Sequence, residues 1–201
     1  MKNFCNAVFL PFVLLGALLL PAGVFAHSFG VVLISPQSGE LSQSGLSFRN
    51  GFMLATTQRD SHPNEESDGH LGGLDVYVSF VDATGDVNRA VLETIEQTDI
   101  DIVLSYGLAP GDILQLNTVL AQSNVVFLMP ANLSGQSRNE AGEAAFRTDF
   151  ETMFGYQAEQ SAVLGYNAAQ RIERAVRAQG RVDDRGALRE SFAQSASDFV
   201  W

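Results

Sequence analysis

The chain has 201 residues, 46% of them hydrophobic, with 12 lysines and arginines against 23 aspartates and glutamates and a net charge of −11. That length is enough for one domain with a real core, and so acidic a balance argues against nucleic acid or an anionic membrane as a partner. The single cysteine, Cys5, lies in a stretch expected to be removed, so disulfides, thiolate catalysis and cysteine-bound metal are excluded from the remainder.

Residues 1–26 read as a signal peptide. Lys2 supplies the positive start, Ala7 to Leu20 the apolar core, and Pro21 to Ala26 a cleavage region with Val24 and Ala26 in the small-residue positions. The apolar stretch is short for a membrane span and contains Pro11, which makes an uncleaved anchor the weaker reading. Cys5 stands at the start of the segment rather than behind a lipobox. The expected product is a single domain, residues 27–201, in the periplasm or an equivalent extracytoplasmic space, with no membrane insertion after cleavage. Every fixed cation left in it is an arginine.

Phe29 to Ile34 is an apolar run without alternation, as in a strand buried on both faces of a parallel sheet. Ser35, Pro36, Ser38 and Gly39 form a turn cluster, and Gln43 to Gln58 carries Leu46, Phe48, Phe52, Met53 and Ala55 on a broad helical face. Arg59 to Gly73 is polar and turn-rich, a surface loop. Leu74 to Val81 reads as a second strand, ended by Asp82 to Asp86, and Val87, Val91 and Ile95 mark a second helix. Ile100 to Ser105 is a third strand, Ile113, Leu116 and Leu120 a third helix, and Val125 to Met129 a fourth strand. Three β-to-α crossovers of this length build a right-handed parallel sheet. Ser134 to Gly142 is polar, a linker or loop. From Ala144 onward the pattern is helical: Phe146 and Phe150, then Ala162, Tyr166, Ala169, Ile172 and Val176, then Leu188 and Phe192, with Asp183 or Asp184 as cap of the last helix.

Several of these residues, taken in order, are similar to a known pattern. Ser38-Gly39, Gly45 and Asn50-Gly51 match an opening in which an SGP-like turn precedes a Gly and an NG-containing helix. Asp82-Ala83-Thr84 before the Val87 helix, Pro130 after the fourth strand, Phe146 to Gly155, and Tyr166-Asn167-Ala168 follow in the same sequence. The chain thereby resembles the type I periplasmic binding proteins, in the leucine-binding-protein-like branch of ABC-transporter receptors for branched-chain amino acids and amides. The resemblance implies an α/β fold: a three-layer Rossmann-like lobe with a four-stranded parallel sheet of order 2-1-3-4, helices on both faces and an all-helical C-terminal part. Members of that family have two such lobes with the ligand between them. Here the family's late helices follow the fourth strand almost at once, which implies a single lobe. One lobe supplies one wall of a cleft, and hinge closure needs a second rigid body. Weak binding, or a second wall from a homodimer mate or another protein, is the expectation, with an ABC permease as a further partner.

By the same resemblance three loops contact a small-molecule ligand at the carboxyl edge of the sheet. They hold Ser38 and Ser44, then Ser105, Tyr106 and Gly107, then Ala131 and Asn132. The bland alternative is that they are plain turns. Asp112 near a carboxylate site would repel an amino acid, or it simply caps the third helix. His62, Glu65, Glu66, Asp68 and His70 could together hold a divalent cation, but their spacing matches no ligand rule and a solvated loop is the plainer reading. His27 would be a mature N-terminus able to chelate copper, though no second histidine is placed beside it. Tyr156, Tyr166 and the late phenylalanines read as core. No nucleophile elbow, Walker loop, HExxH or GxGxxG opening a helix is present, and Asp75, Asp82 and Asp86 lack a partner base. No enzyme activity and no cofactor is expected. Two functions remain open: solute binding for uptake or sensing, and a scaffold derived from such a lobe that acts by self-association or partner binding.

Overall fold

A strand that is apolar through its middle without alternation has to bury both of its faces, and Ser28–Ser35 (β1) does so in a computed structural model that describes residues 28–60, 66–130 and 139–195. The expected signal peptide and His27 lie outside the described residues. After β1 come helix Ser42–Thr57 (α1), strand His70–Leu71 (β2), strand Leu74–Asp82 (β3) and helix Val87–Gln97 (α2). Strand Ile102–Ser105 (β4), helix Pro110–Leu120 (α3) and strand Val126–Leu128 (β5) follow. Three further helices follow among the described residues: Glu140–Phe154 (α4), Gln160–Gln179 (α5) and Arg185–Ser195 (α6). Among the described residues no helix is long and apolar enough to cross a membrane.

The fold is mixed α/β, around one five-stranded sheet of order β2-β3-β1-β4-β5. β3, β1, β4 and β5 run parallel, and β2 pairs antiparallel with β3. The expectation of four strands ordered 2-1-3-4 is thereby corrected. Arg59 to Gly73 is not loop throughout, because His70 and Leu71 fold back onto Asp75 and Leu74. The reversal is made by Gly72 and Gly73 at φ 69° and 84°, the left-handed conformations a two-residue hairpin loop requires at both positions. A two-residue strand carries no alternation, so nothing in the pattern announces it.

The period of two along β1 divides the core. Val31 and Leu33 point to one face, among Phe48 and Phe52 of α1 and Ala169, Ile172 and Val176 of α5. Val32 and Ile34 point to the other, among Val87 and Val91 of α2 and Leu116 and Leu120 of α3. The late helices therefore do not form a separate unit. α5 lies across α1 at backbone contact: a Cβ on Gly51 would sit 1.9 Å from the Ala162 carbonyl oxygen, and one on Gly165 1.9 Å from that of Phe48.

Side chains fix several ends. Asp86 accepts from the Arg89 N–H at 3.2 Å, and Asn139 from the Gly142 N–H at 3.3 Å. Of the two expected caps of α6, Asp184 is the one that acts, accepting from the Ala187 N–H at 3.0 Å. Asp112 does not cap α3: that helix starts at Pro110 after Ala109, and Asp112 stands within its first turn, where a negative charge favours the helix dipole. α4 begins at Glu140, inside the stretch expected to be a linker.

α6 is tied to the sheet by a buried ion pair. Asp101, just before β4, accepts the Gly30 N–H at 2.8 Å and pairs with Arg185, which also donates to the carbonyls of Asn124 (2.9 Å) and Val182. Burial pushes the Asp101 carboxyl above the ordinary aspartate value, against the pull of the Gly30 N–H and the Arg185 charge.

Candidate functional site

Parallel strands bring the loops after β1, β3 and β4, and the residues that leave β5, to one edge, the usual ligand edge of an open α/β sheet. Asp82, at the end of β3, is the hub between the first two loops. It accepts the N–H groups of Gln37 and Thr84, both at 3.0 Å, and the Ser38 hydroxyl at 3.4 Å. Ser38 Oγ also lies 2.8 Å from Thr84 Oγ1. The Gln37 N–H, more than any other contact, holds the Asp82 carboxyl below the ordinary range, with slight burial acting against it. Ser38 is thus a member of a clasp joining the β1 and β3 loops.

The other residues expected at this edge have distinct placements. Ser44 donates to the Leu41 carbonyl at 2.9 Å, within its own helical turn. Ser105 ends β4 and is 2% exposed. The Tyr106 ring stacks on Phe48, with centroids 4.6 Å apart and planes 8° from parallel, so it extends the core to the rim. Gly107, at φ 75°, lets the β4 loop lie against the β1 loop, since a Cβ there would come within 2.7 Å of Pro36 Cγ. Ala131 and Asn132 lie outside the described residues.

Beside these loops is an open cleft of about 350 Å³, lined by Gln37, Ser42, Gln43, Leu46 and Arg49 around the end of β1. Gly45 sets α1 against its floor, because a Cβ at that position would meet the Pro36 carbonyl oxygen at 1.9 Å. α1 enters the cleft with Leu41 at its N-cap, no side-chain cap bond and no acidic residue in its first turn. The partial positive charge of its first N–H groups is therefore not offset by side chains of that turn. The Arg49 guanidinium stands 3.7 Å over the centre of the Phe80 ring, a cation–π seat that positions it at the cleft. Ser42, Leu46 and Arg49 follow one another at helical spacing, the signal by which this face was discoverable in the sequence. The arrangement suits hydrogen bonding and charge pairing to a small anionic group. Leu41 and Leu46 at the start of α1, and Met129 just after β5, are 56%, 43% and 51% exposed.

The acidic loop sets His70 between two carboxylates. His70 lies between Asp60 (3.2 Å) and Asp75 (2.7 Å), and Asp68 accepts the Val78 N–H at 2.8 Å. His62 and Glu65 are outside the described residues, among which no cluster of three metal-ligating side chains is assembled. Tyr156 and Tyr166 join the phenylalanines of α4: Tyr156 meets Phe150 edge-on at 5.1 Å, and Tyr166 lies 4.7 Å from Phe146. Their hydroxyls reach polar partners, Asn50 Nδ2 donating to that of Tyr156 at 3.0 Å and Tyr166 donating to Gln58 Oε1 at 2.8 Å. No protein-family model matches this chain, and no curated protein matches it either.

Proposed function

We propose that the chain is an exported, single-lobe solute-binding protein of the type I periplasmic receptor kind, with a three-layer Rossmann-like architecture. Its ligand is a small polar molecule with a carboxylate, such as an amino acid, an amide-bearing acid or a short-chain acid, held at the carboxyl edge of the sheet. One observation carries this reading: the cleft beside β1 combines an arginine, Arg49, with a helix start that no side chain caps. Ser42, Gln37 and Gln43 add hydrogen-bonding groups to the same wall. The clasp of Ser38, Asp82 and Thr84 holds that wall in shape and does not itself face the ligand.

The cleft is open, and a small-molecule site usually buries about 70–90% of its ligand. A second wall, from another copy of the chain or from a partner such as a permease component, completes it. Exposed Leu41, Leu46 and Met129 favour such a partner, and they equally support the second reading, a scaffold that self-associates through this edge without a ligand.

A thermal-shift screen of the protein against amino acids, amides and short-chain acids tests the first reading. A ligand present at about 100 times its dissociation constant stabilises the fold by about 2.7 kcal/mol, and Arg49→Ala abolishes the rise. A flat response in the unsubstituted protein defeats solute binding. Sedimentation velocity separates the second reading: a monomer at every concentration rules out self-association.

A further inference from the structure

β5 stands last in the order β2-β3-β1-β4-β5, with β4 on one side and no described strand on the other. Its bonding to β4 starts with the Val126 N–H, which donates to the Asp101 carbonyl at 2.9 Å. Backbone groups alternate in direction along a strand, so Val126 and Leu128 face β4 while Phe127 turns its N–H and C=O to the open side. The Val125 carbonyl faces that side too, and there Arg189 of α6 donates to it at 3.0 Å. An edge of this kind is a template on which another segment can pair. A groove of about 560 Å³ lies along it between α3 and α6. Ala121, Phe127, Leu128 and Phe192 give it apolar walls, and among the described residues Arg189 is the only charged side chain in the lining.

α6 delivers the chain to this groove. Arg185 donates to the Asn124 carbonyl at 2.9 Å and Arg189, one turn later, to that of Val125, so the helix advances in the direction of β5. Phe192 follows in the wall, and the helix ends one turn beyond, at Ser195. Residues 196–201, Ala-Ser-Asp-Phe-Val-Trp, lie outside the described residues. Phe199, Val200 and Trp201 are strand-forming types. Asp198, the one charge of the segment, is opposite in sign to that of the groove. Six extended residues reach at most about 20 Å, and a three-residue strand is roughly 10 Å long, which leaves length for a turn after α6.

We propose that Asp198–Trp201 turns back into this groove as a further strand of the sheet, antiparallel to β5, with its backbone paired to Phe127. That direction carries Trp201 towards the Val125 end of β5, where the Arg189 guanidinium is a cation for the face of its ring. The occupant of the groove is thus the chain's own segment and not a second copy. The inference does not depend on the reading given for the rim.

Trp201 is the only tryptophan in the sequence, so intrinsic fluorescence reads this segment alone. The expected emission of the purified protein is blue-shifted from that of the urea-unfolded chain and poorly quenched by acrylamide, at every protein concentration. NMR of the isotope-labelled protein adds cross-strand nuclear Overhauser contacts between Phe127 and residues 199–201. Phe127→Pro removes an N–H that β4 does not use, a change an edge strand tolerates, and brings emission and quenching to the unfolded values. Arg189→Glu, on the surface, does the same and keeps the test open if Phe127→Pro does not fold. Emission and quenching of the unsubstituted protein equal to those of the unfolded chain overturn the proposal. So does protection that survives these substitutions, which puts the segment elsewhere. Protection that arises only as protein concentration is raised overturns it as well, and makes a second copy the occupant.

Discussion

Replacing Arg185 by leucine isolates the tie between α6 and the sheet. The two side chains of the pair are 11% and 7% exposed, so Asp101 cannot turn to solvent when its partner goes. Its remaining contact is the Gly30 N–H at 2.8 Å, and Asp99 nearby adds a repulsive charge. Removing one member of a buried pair costs about 3–5 kcal/mol. At roughly 2–4 °C per kcal/mol for a domain of this size, the melting temperature falls by about 6–20 °C. The loss has a pH signature. A carboxyl raised in the folded state holds its proton more tightly there, so its burial penalty is absent below the ordinary carboxylate value and grows as pH rises through the folded one. Without Arg185 the carboxyl rises further, and the deficit of Arg185→Leu is therefore smaller at about pH 4.5 than at about pH 7.5. Circular-dichroism melts of both proteins at the two pH values measure it. A deficit equal at both, or smaller than about 1 kcal/mol, an ordinary surface effect, refutes the buried-pair argument.

Three other substitutions probe the frame and the rim. Gly51→Leu drives a side chain into the Ala162 carbonyl and forces α1 from α5, at a cost of about 3 kcal/mol or more, read as a lowered melting temperature and low soluble yield. Phe48→Ala removes a fully buried ring together with its stacking on Tyr106, and costs about 3–5 kcal/mol in a urea melt. Asp82→Asn weakens the clasp by less than about 1 kcal/mol at neutral pH, since solvent screens it. Because the Asp82 carboxyl is lowered in the folded state, its contribution is present above the ordinary aspartate value and lost as pH falls through the folded one. The melting temperatures of wild type and Asp82→Asn accordingly converge in acid.

The α/β class and the positions of the larger elements were legible because burial leaves a period. Phe29 to Ile34 reads as a strand covered on both sides, and Phe48, Phe52 and Ala55 as the inner face of a helix, although Leu46, expected on that face, is 43% exposed. Strand ends were less legible: β4 starts at Ile102, not Ile100, and β5 spans only Val126–Leu128, since Ile100 and Val125 are buried just ahead of the strands they precede. β2 was hidden by its brevity. Gly51 and Gly165 look like weak points in a helical pattern until the crossing shows why a side chain is excluded. The rim is legible in its position but not in its bonding. Ser38 and Ser44 carry the right chemistry at the right edge, but local bonds to Asp82, Thr84 and the Leu41 carbonyl engage them. Arg49 is positioned by a ring from β3, a contact no spacing within α1 encodes. Asn167 was similarly obscured, because a polar residue inside a helix reads as solvent-facing, and only tertiary packing shows it sealed in.

The crossing of α1 and α5 has a consequence for how the molecule comes into being. Arg59 and Gln170, bonded across it, are 111 positions apart. A nascent chain that has emerged only as far as β5 therefore holds all five described strands but leaves the Phe48 and Phe52 side of the sheet without α5 and α6. Such contacts form late, because the intervening chain must be drawn in first. Until the last helices arrive, the chain stays pliable and open to chaperones.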